Sequence, residues 1–321
     1  MTDPKANPNP PAAADSPASP ARLGAIDQWM AAHPWHPRIT PYVIYVLLLA
    51  VIQFLPAGRP ATYLRPIVYA LQCAVVLWLL WRYRRLLPEL NGRFHWLAVP
   101  VGVGVFVAWV LLGWAMAGEL HPRLDALLDG QPIGMIDYGP DGDKPHFATT
   151  AAGPFDPRHP DRMGPTVGWI SLLLRLLGMS IVVPLFEELF VRSLLLRSLH
   201  HFRTTAIGLI HFFQDLPVFG DWLMHTRLAQ RANRHEPVFG RVFTETPLGQ
   251  LSVFGVFAST VVFSSYHAMR DWPAAVVCGV AYCLLLYATR RRGLGPVVWA
   301  HGITNALLWI YTLTTADWQF L

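Results

Sequence analysis

LAVPVGVGVFVAWVLLGWAMAG, residues 97–118, is a run of 22 residues without a charge. At 1.5 Å of rise per residue a helix of this length reaches about 33 Å, enough to cross a hydrocarbon layer roughly 30 Å thick. Its apolar character is continuous and does not alternate, which argues for a helix and against a strand of a membrane barrel. Six further runs of the same kind flank it, at about 41–56 (PYVIYVLLLAVIQFLP), 65–81, 167–196, 248–268, 273–289 and 294–313. The sequence therefore predicts an all-α, polytopic transmembrane bundle of about seven spans. An eighth at 204–213 is the alternative, disfavoured because that segment is short for a crossing.

Composition supports the same class. The chain is 53% hydrophobic and 14% charged over 321 residues, which would leave a soluble globule with too much apolar surface, so lipid is the expected solvent for much of it. The net charge of +5 comes with arginines gathered between apolar runs: Arg82, Arg84, Arg85 and Arg93; Arg197, Arg203, Arg227, Arg231, Arg234 and Arg241; and Arg290, Arg291 and Arg292. Seven spans put all three groups on one face, cytoplasmic by the positive-inside rule, and put the loop 119–166 outside. There is no basic stripe with interleaved aromatics, so nucleic acid is not an expected partner. Cys73, Cys278 and Cys283 lie in apolar stretches without metal-site or CxxC spacing and read as core or lipid-facing residues. The Pro/Ala-rich residues 1–21 lack a charged segment followed by an apolar one, so no signal peptide is read there, and a disordered tail is expected. Leu23, Ile26, Trp29 and Met30 share a helical face and suggest a short interfacial helix. The expected organisation is thus 1–40 tail, 41–118 N-terminal spans, 119–166 extramembrane loop, and 167–321 core with a loop at 201–247. No solenoid period or inverted transporter repeat is visible.

Ionisable groups inside apolar spans are costly, so those present mark a pairing or a function. They fall in VVPLFEELFVRSLLL (182–196), VVFSSYHAM (261–269) and VVWAHGITNALLWIY (297–311). Helical spacing sets Glu188 and Arg192 on one face, where they can pair, and turns Glu187 about 100° away, leaving it the better candidate for a general base. Phe263 and His267 are also four apart, as are His301 and Asn305. An amide N–H such as that of Asn305 can bind a developing oxyanion, while an imidazole can position a water or a carbonyl. Each motif alone also has a bland reading: an ion pair stapling helices, an interfacial histidine, or polar glue between spans.

Taken in order, EExxxR, FxxxH and HxxxN resemble the CPBP family of intramembrane proteases, which includes the CAAX prenyl endopeptidases and the bacterial Abi proteins. The resemblance covers roughly 167–313. It implies that Glu187 activates a hydrolytic water, that Glu188 and Arg192 support it, and that His267, His301 and Asn305 complete the site and stabilise the oxyanion, with Phe263 supporting. The chain departs from the family pattern in flanking its arginine with Val191 and Ser193, where an aromatic and a glycine are usual, and in its long 201–247 stretch.

The expected function is an intramembrane endopeptidase of the plasma or inner membrane, acting on a hydrophobic, lipidated or membrane-anchored peptide or protein in contact with lipid. A scaffold or immunity protein retaining the fold is the alternative, and a proton-coupled transporter is disfavoured by the lack of paired broken helices. No obligatory cofactor is expected; zinc held by Glu187, His267 and His301 is the competing mechanism. One geometric condition must be met. His301 lies roughly 12 Å from the 290–292 arginines along its helix, whereas His267 falls near the opposite face if 248–268 spans fully. The two meet only if the turn at MRDWP (269–273) stops short of that face.

Overall fold

The computed structural model describes residues 24–53, 59–130, 135–138, 145–148, 157–159, 163–214, 219–234 and 238–320. The expected tail 1–21 and Leu23 lie outside them. In chain order the helices are α1 Ala25–Ala32, α2 His36–Gln53, α3 Arg59–Arg82, α4 Ala98–Met116, α5 Leu120–Leu128 and α6 Gly164–Ser198. There follow α7 Phe202–Gln214, α8 Phe219–Met224, α9 Arg227–Ala232, α10 Val238–Glu245, α11 Val253–Ser265, α12 Trp272–Thr289 and α13 Gly295–Thr315. A short antiparallel hairpin, β1 Met135–Tyr138 with β2 Pro145–Ala148, lies in the 119–166 segment.

The seven apolar runs fall on α2, α3, α4, α6, α11, α12 and α13. Within α3, α4 and α6, and across Met269–Arg292 including α12, four stretches are long and apolar enough to cross a membrane, while α2 and α11 are apolar but shorter. α13 has 21 residues, about 31 Å, so its length suffices. Its apolarity is diluted by His301, Thr304, Asn305 and Thr312, the polar groups it carries inward. Large apolar side chains such as Leu47, Leu71, Trp81 and Phe257 point outward and are exposed, as lipid-facing residues must be. The segment 204–213 forms α7, 13 residues packed among α8, α9 and α10, so the 201–247 stretch is helical where it is described. Trp29 and Ile26 of α1 are exposed, while Met30 is buried with Leu79 and Tyr83, so one side of α1 docks on α3.

Local sequence sets the helix ends. Pro165, Pro273 and Pro296 open α6, α12 and α13, where a missing N–H costs nothing. The Ser252 hydroxyl caps α11 by accepting from Gly255 N–H at 2.9 Å, and donates to the His200 carbonyl just beyond α6. Gly293, at φ +73°, makes the tight turn from α12 to α13, a conformation that side chains resist. That turn is pinned to the α3–α4 loop: Leu294 N–H donates to the Glu89 carbonyl at 2.9 Å, Trp299 to Gly92 at 3.1 Å and Arg292 to Phe94 at 3.3 Å. The arginines at 82–93 and 290–292 therefore share one end of the bundle. At the other end Arg123 of α5 is buried between Glu119 and Asp317, each at 2.6 Å. α4 and α13 form the most extensively packed helix pair. Gly102 permits this, since a Cβ there would lie 2.6 Å from the Ala300 carbonyl. The three cysteines are free and buried in the core.

Candidate active site

The acidic motif sits in the middle of α6, which is irregular on both sides of it. Gly178–Val182 and Leu189–Leu195 are π-helical, with a short α segment, Val183–Glu188, between them. Pro184 explains part of this. It offers no N–H to the carbonyls one turn earlier, at Met179 and Ser180. Both carbonyls are approached by α13: Asn305 Nδ2 donates to Met179 O at 2.8 Å, and Gly302 leaves room for Ser180 O, which would stand 2.5 Å from a Cβ. Such wide turns inside helices tend to occur at functional sites.

The two carboxylates have separate environments, as the helical spacing predicts. Glu188 is fully buried and does not line the cavity. Its Oε1 accepts from His301 Nδ1 at 2.8 Å, and its Oε2 faces Arg192 Nε at 3.2 Å. The Arg192 guanidinium, also fully buried, lies over the rings of Phe263 (4.7 Å) and Tyr282 (5.5 Å), so its charge meets one carboxylate and two aromatic faces. Glu187 turns instead into a cavity of about 300 Å³, where its Oε2 lies 3.8 Å from His301 Nε2.

The same cavity is lined by His267, His301 and Asn305, so the three motifs converge. The geometric condition is met by α11, whose 13 residues span only about 20 Å, and the chain turns back with His267 still inside the bundle. His267 Nδ1 donates to the Phe263 carbonyl at 2.8 Å, and its ring packs against Trp109, Tyr266 and Phe263. With Nδ1 of each histidine engaged as a donor, Nε2 is the ring nitrogen left without that bond. Asn305 has a second N–H beyond the one given to Met179.

Several contributors carried no signal in the sequence. Tyr282 bonds Thr304 Oγ1 at 2.8 Å, and Thr304 donates on to Gly102 O at 2.8 Å, tying α12, α13 and α4 together beside His301. Arg38 of α2 and Glu89 of the α3–α4 loop hold Ser193 of α6. Glu89 accepts from Arg38 Nε at 2.6 Å, from Arg38 Nη2 at 2.8 Å and from the Ser193 hydroxyl at 2.5 Å. Burial pushes the Glu89 carboxyl up, but these bonds outweigh it and hold the carboxyl below its ordinary range. Ser193 stands where the resemblance leads one to expect glycine, and its hydroxyl is what engages this clamp. Arg38 and Glu89 lie far outside the motifs, so only the fold reveals them.

Glu187, His267 and His301 have the donor chemistry of a zinc site. Among the described residues, however, no group of three or more His, Cys, Asp or Glu is placed to share one metal ion.

The chain matches a known family over part of its length. The family model described as type II CAAX prenyl endopeptidase, Rce1-like, covers residues 169–307, which hold every motif residue named above. No curated protein and no solved structure matches the chain.

Proposed function

From the assignment of residues 169–307 to the CPBP/CAAX protease family, we propose that this integral membrane protein hydrolyses a peptide bond in its bundle cavity with a water activated by Glu187. The observation that carries the reading is the division of labour between the carboxylates. Glu188 is consumed by Arg192 and His301, while Glu187 faces the cavity 3.8 Å from His301 Nε2.

Glu187 and the Nε2 atoms of His301 and His267 are acceptors, so a water among them is oriented by its own two protons. Glu187 takes one proton as the oxygen adds to the substrate carbonyl, and the resulting oxyanion accepts from the free N–H of Asn305. The proton on Glu187 then passes to the leaving nitrogen, the C–N bond breaks, and a carboxylic acid and an amine are released. Glu188 orients His301 through Nδ1, as a carboxylate orients a catalytic imidazole. The substrate class is a membrane-associated peptide or protein; lipidated segments suit the apolar surround.

The test compares membranes carrying the chain with membranes carrying Glu187→Gln, reading new protein termini by mass spectrometry. The variant keeps shape and hydrogen bonding but accepts no proton, so it should fold, insert and lose about 10²-fold or more of the cleavage. Activity should survive thorough chelation. Stoichiometric zinc whose removal and return switch activity off and on would reassign Glu187 as a ligand. Full cleavage by Glu187→Gln would remove the peptidase reading.

A further inference from the structure

Helices α7, α8 and α9, in the 201–247 stretch, carry an apolar surface that the site does not use. Phe202, Leu209 and Phe213 recur at intervals of seven and four residues, which at 100° per residue sets them within about 40° of one another on a single stripe of α7. All three are exposed, as are Trp222 of α8 and Leu228 of α9. Thr205 and Gly208 of α7 are buried instead, the reverse of what an amphipathic helix does on a domain surrounded by water. With 13 residues α7 reaches about 20 Å, well short of the roughly 30 Å of a hydrocarbon layer, so it does not cross.

The stripe begins where lipid begins. The Phe202 ring meets the Phe254 ring edge-on at 5.3 Å, in the first turn of α11. Beside Phe254, Val253 and Phe257 are 91% and 63% exposed on the outer, lipid-facing side of α11. Both ends of the 201–247 stretch are held at that level: the Ser252 hydroxyl donates to the His200 carbonyl, and Arg197 donates to the Thr246 carbonyl at 2.7 Å. Beyond Phe202, α7 packs on α8, α9 and α10. The same helices are edged with positive charge. Arg203 follows Phe202, Arg227 and Arg231 stand one turn apart on α9 beside Leu228, and all three arginines are exposed. Exposed apolar residues bordered by arginine match a leaflet, with acyl chains for the first and anionic headgroups for the second.

We propose that α7, α8 and α9 form a lipid-binding surface lying in the leaflet at the arginine-rich end of the bundle, with Phe202, Leu209, Phe213 and Leu228 among the acyl chains and Arg203, Arg227 and Arg231 on anionic lipid headgroups. The continuity through Phe202 and Phe254 is what selects lipid as the occupant, because a stripe that starts on the lipid-facing side of α11 and then runs into water would leave large apolar side chains uncovered. The surface braces the junction of α6 with α11 from outside, and those helices carry Glu187, Glu188, Arg192 and His267. It stands apart from the peptidase reading, since none of its residues lines the cavity.

The experiment uses the full chain in lipid vesicles with Cys73, Cys278 and Cys283 replaced by alanine and one nitroxide-labelled cysteine at a time: Leu209→Cys, Leu228→Cys, Val261→Cys on the lipid-facing side of α11, or Gln230→Cys as a position expected in water. If the cysteine-free chain does not fold, the three buried native cysteines are kept and the chain without a new cysteine is the blank. Collisions of each label with oxygen, which partitions into lipid, and with a water-soluble nickel chelate give its depth. Leu209→Cys and Leu228→Cys should behave like Val261→Cys, open to oxygen and closed to nickel, about 5 to 10 Å below the headgroup boundary, while Gln230→Cys stays open to nickel. Nickel access at Leu209→Cys and Leu228→Cys puts the face in water and overturns the proposal. Exclusion of both reagents, or label-to-label broadening that vanishes on dilution with unlabelled chain, gives the face to protein and overturns it too. The headgroup half is read in phosphatidylcholine alone and in phosphatidylcholine mixed with phosphatidylglycerol: the anionic lipid should move Leu228→Cys deeper, and replacing Arg203, Arg227 and Arg231 together by glutamine should abolish that shift. A depth indifferent to phosphatidylglycerol in the parent removes the arginines from the surface. None of these readings requires turnover, so a chain that cleaves nothing would cost the peptidase reading and leave the lipid surface standing.

Discussion

Replacing Arg192 with methionine removes a charge from the centre of the bundle and keeps most of the side chain's length. Arg192 is wholly buried, 3.2 Å from Glu188 Oε2 and stacked over Phe263 and Tyr282. The variant leaves Glu188 buried with His301 Nδ1 as its remaining close partner. Breaking a buried pair in this way costs about 3 to 5 kcal/mol, most of it from the stranded charge. At 1.4 kcal/mol per decade that is roughly 10²- to 10³·⁵-fold in the unfolding equilibrium. Glu188→Gln alone should destabilise by a comparable amount, since it strands the guanidinium. The double variant removes both charges and should be much less destabilised than the sum of the two, because a well-packed neutral pair can nearly match a buried ion pair. The assay is reversible unfolding of purified protein in detergent micelles, followed by helical signal and run as a double-mutant cycle. Additive losses, or an Arg192→Met protein as stable as the parent, would refute the buried pair as the element that fixes Glu188.

Two further outcomes follow from the site. Asn305→Ala should lower turnover about 10²- to 10³-fold with substrate binding nearly unchanged, if its free N–H meets the oxyanion; a pure loss of binding would assign it to the Met179 bond alone. Glu89→Gln should weaken the clamp on Ser193 and flatten the acid limb of stability against pH. The sign follows from the lowered carboxyl: its contribution is full above the ordinary carboxylate value of 4.5 and is lost as pH falls below it through the folded-state value. An unchanged acid limb, measured as folded fraction in micelles from neutral pH downwards, would remove Glu89 from that role.

The sequence by itself determined the solvent and the elements. Continuous apolar runs such as 97–118 admit only helices in lipid, because every backbone N–H and C=O must be satisfied within the segment. It also singled out the candidate groups, since a charge inside such a run survives only with a reason, and i, i+4 spacing by itself separates Glu187 from Glu188. Span length alone set His267 and His301 at different depths, and the tertiary structure resolved this by ending α11 after 13 residues. Helical spacing does not state which nitrogen of His301 meets which carboxylate, or that Asn305 spends one N–H on Met179. Those outcomes depend on how α13 packs against the π-helical turns of α6, a contact made across 126 residues of sequence. Arg38, Glu89 and Ser193 were illegible for the same reason. Pairs separated by 51 and 104 residues leave no periodic trace, and only the packing that buries all three together makes them partners.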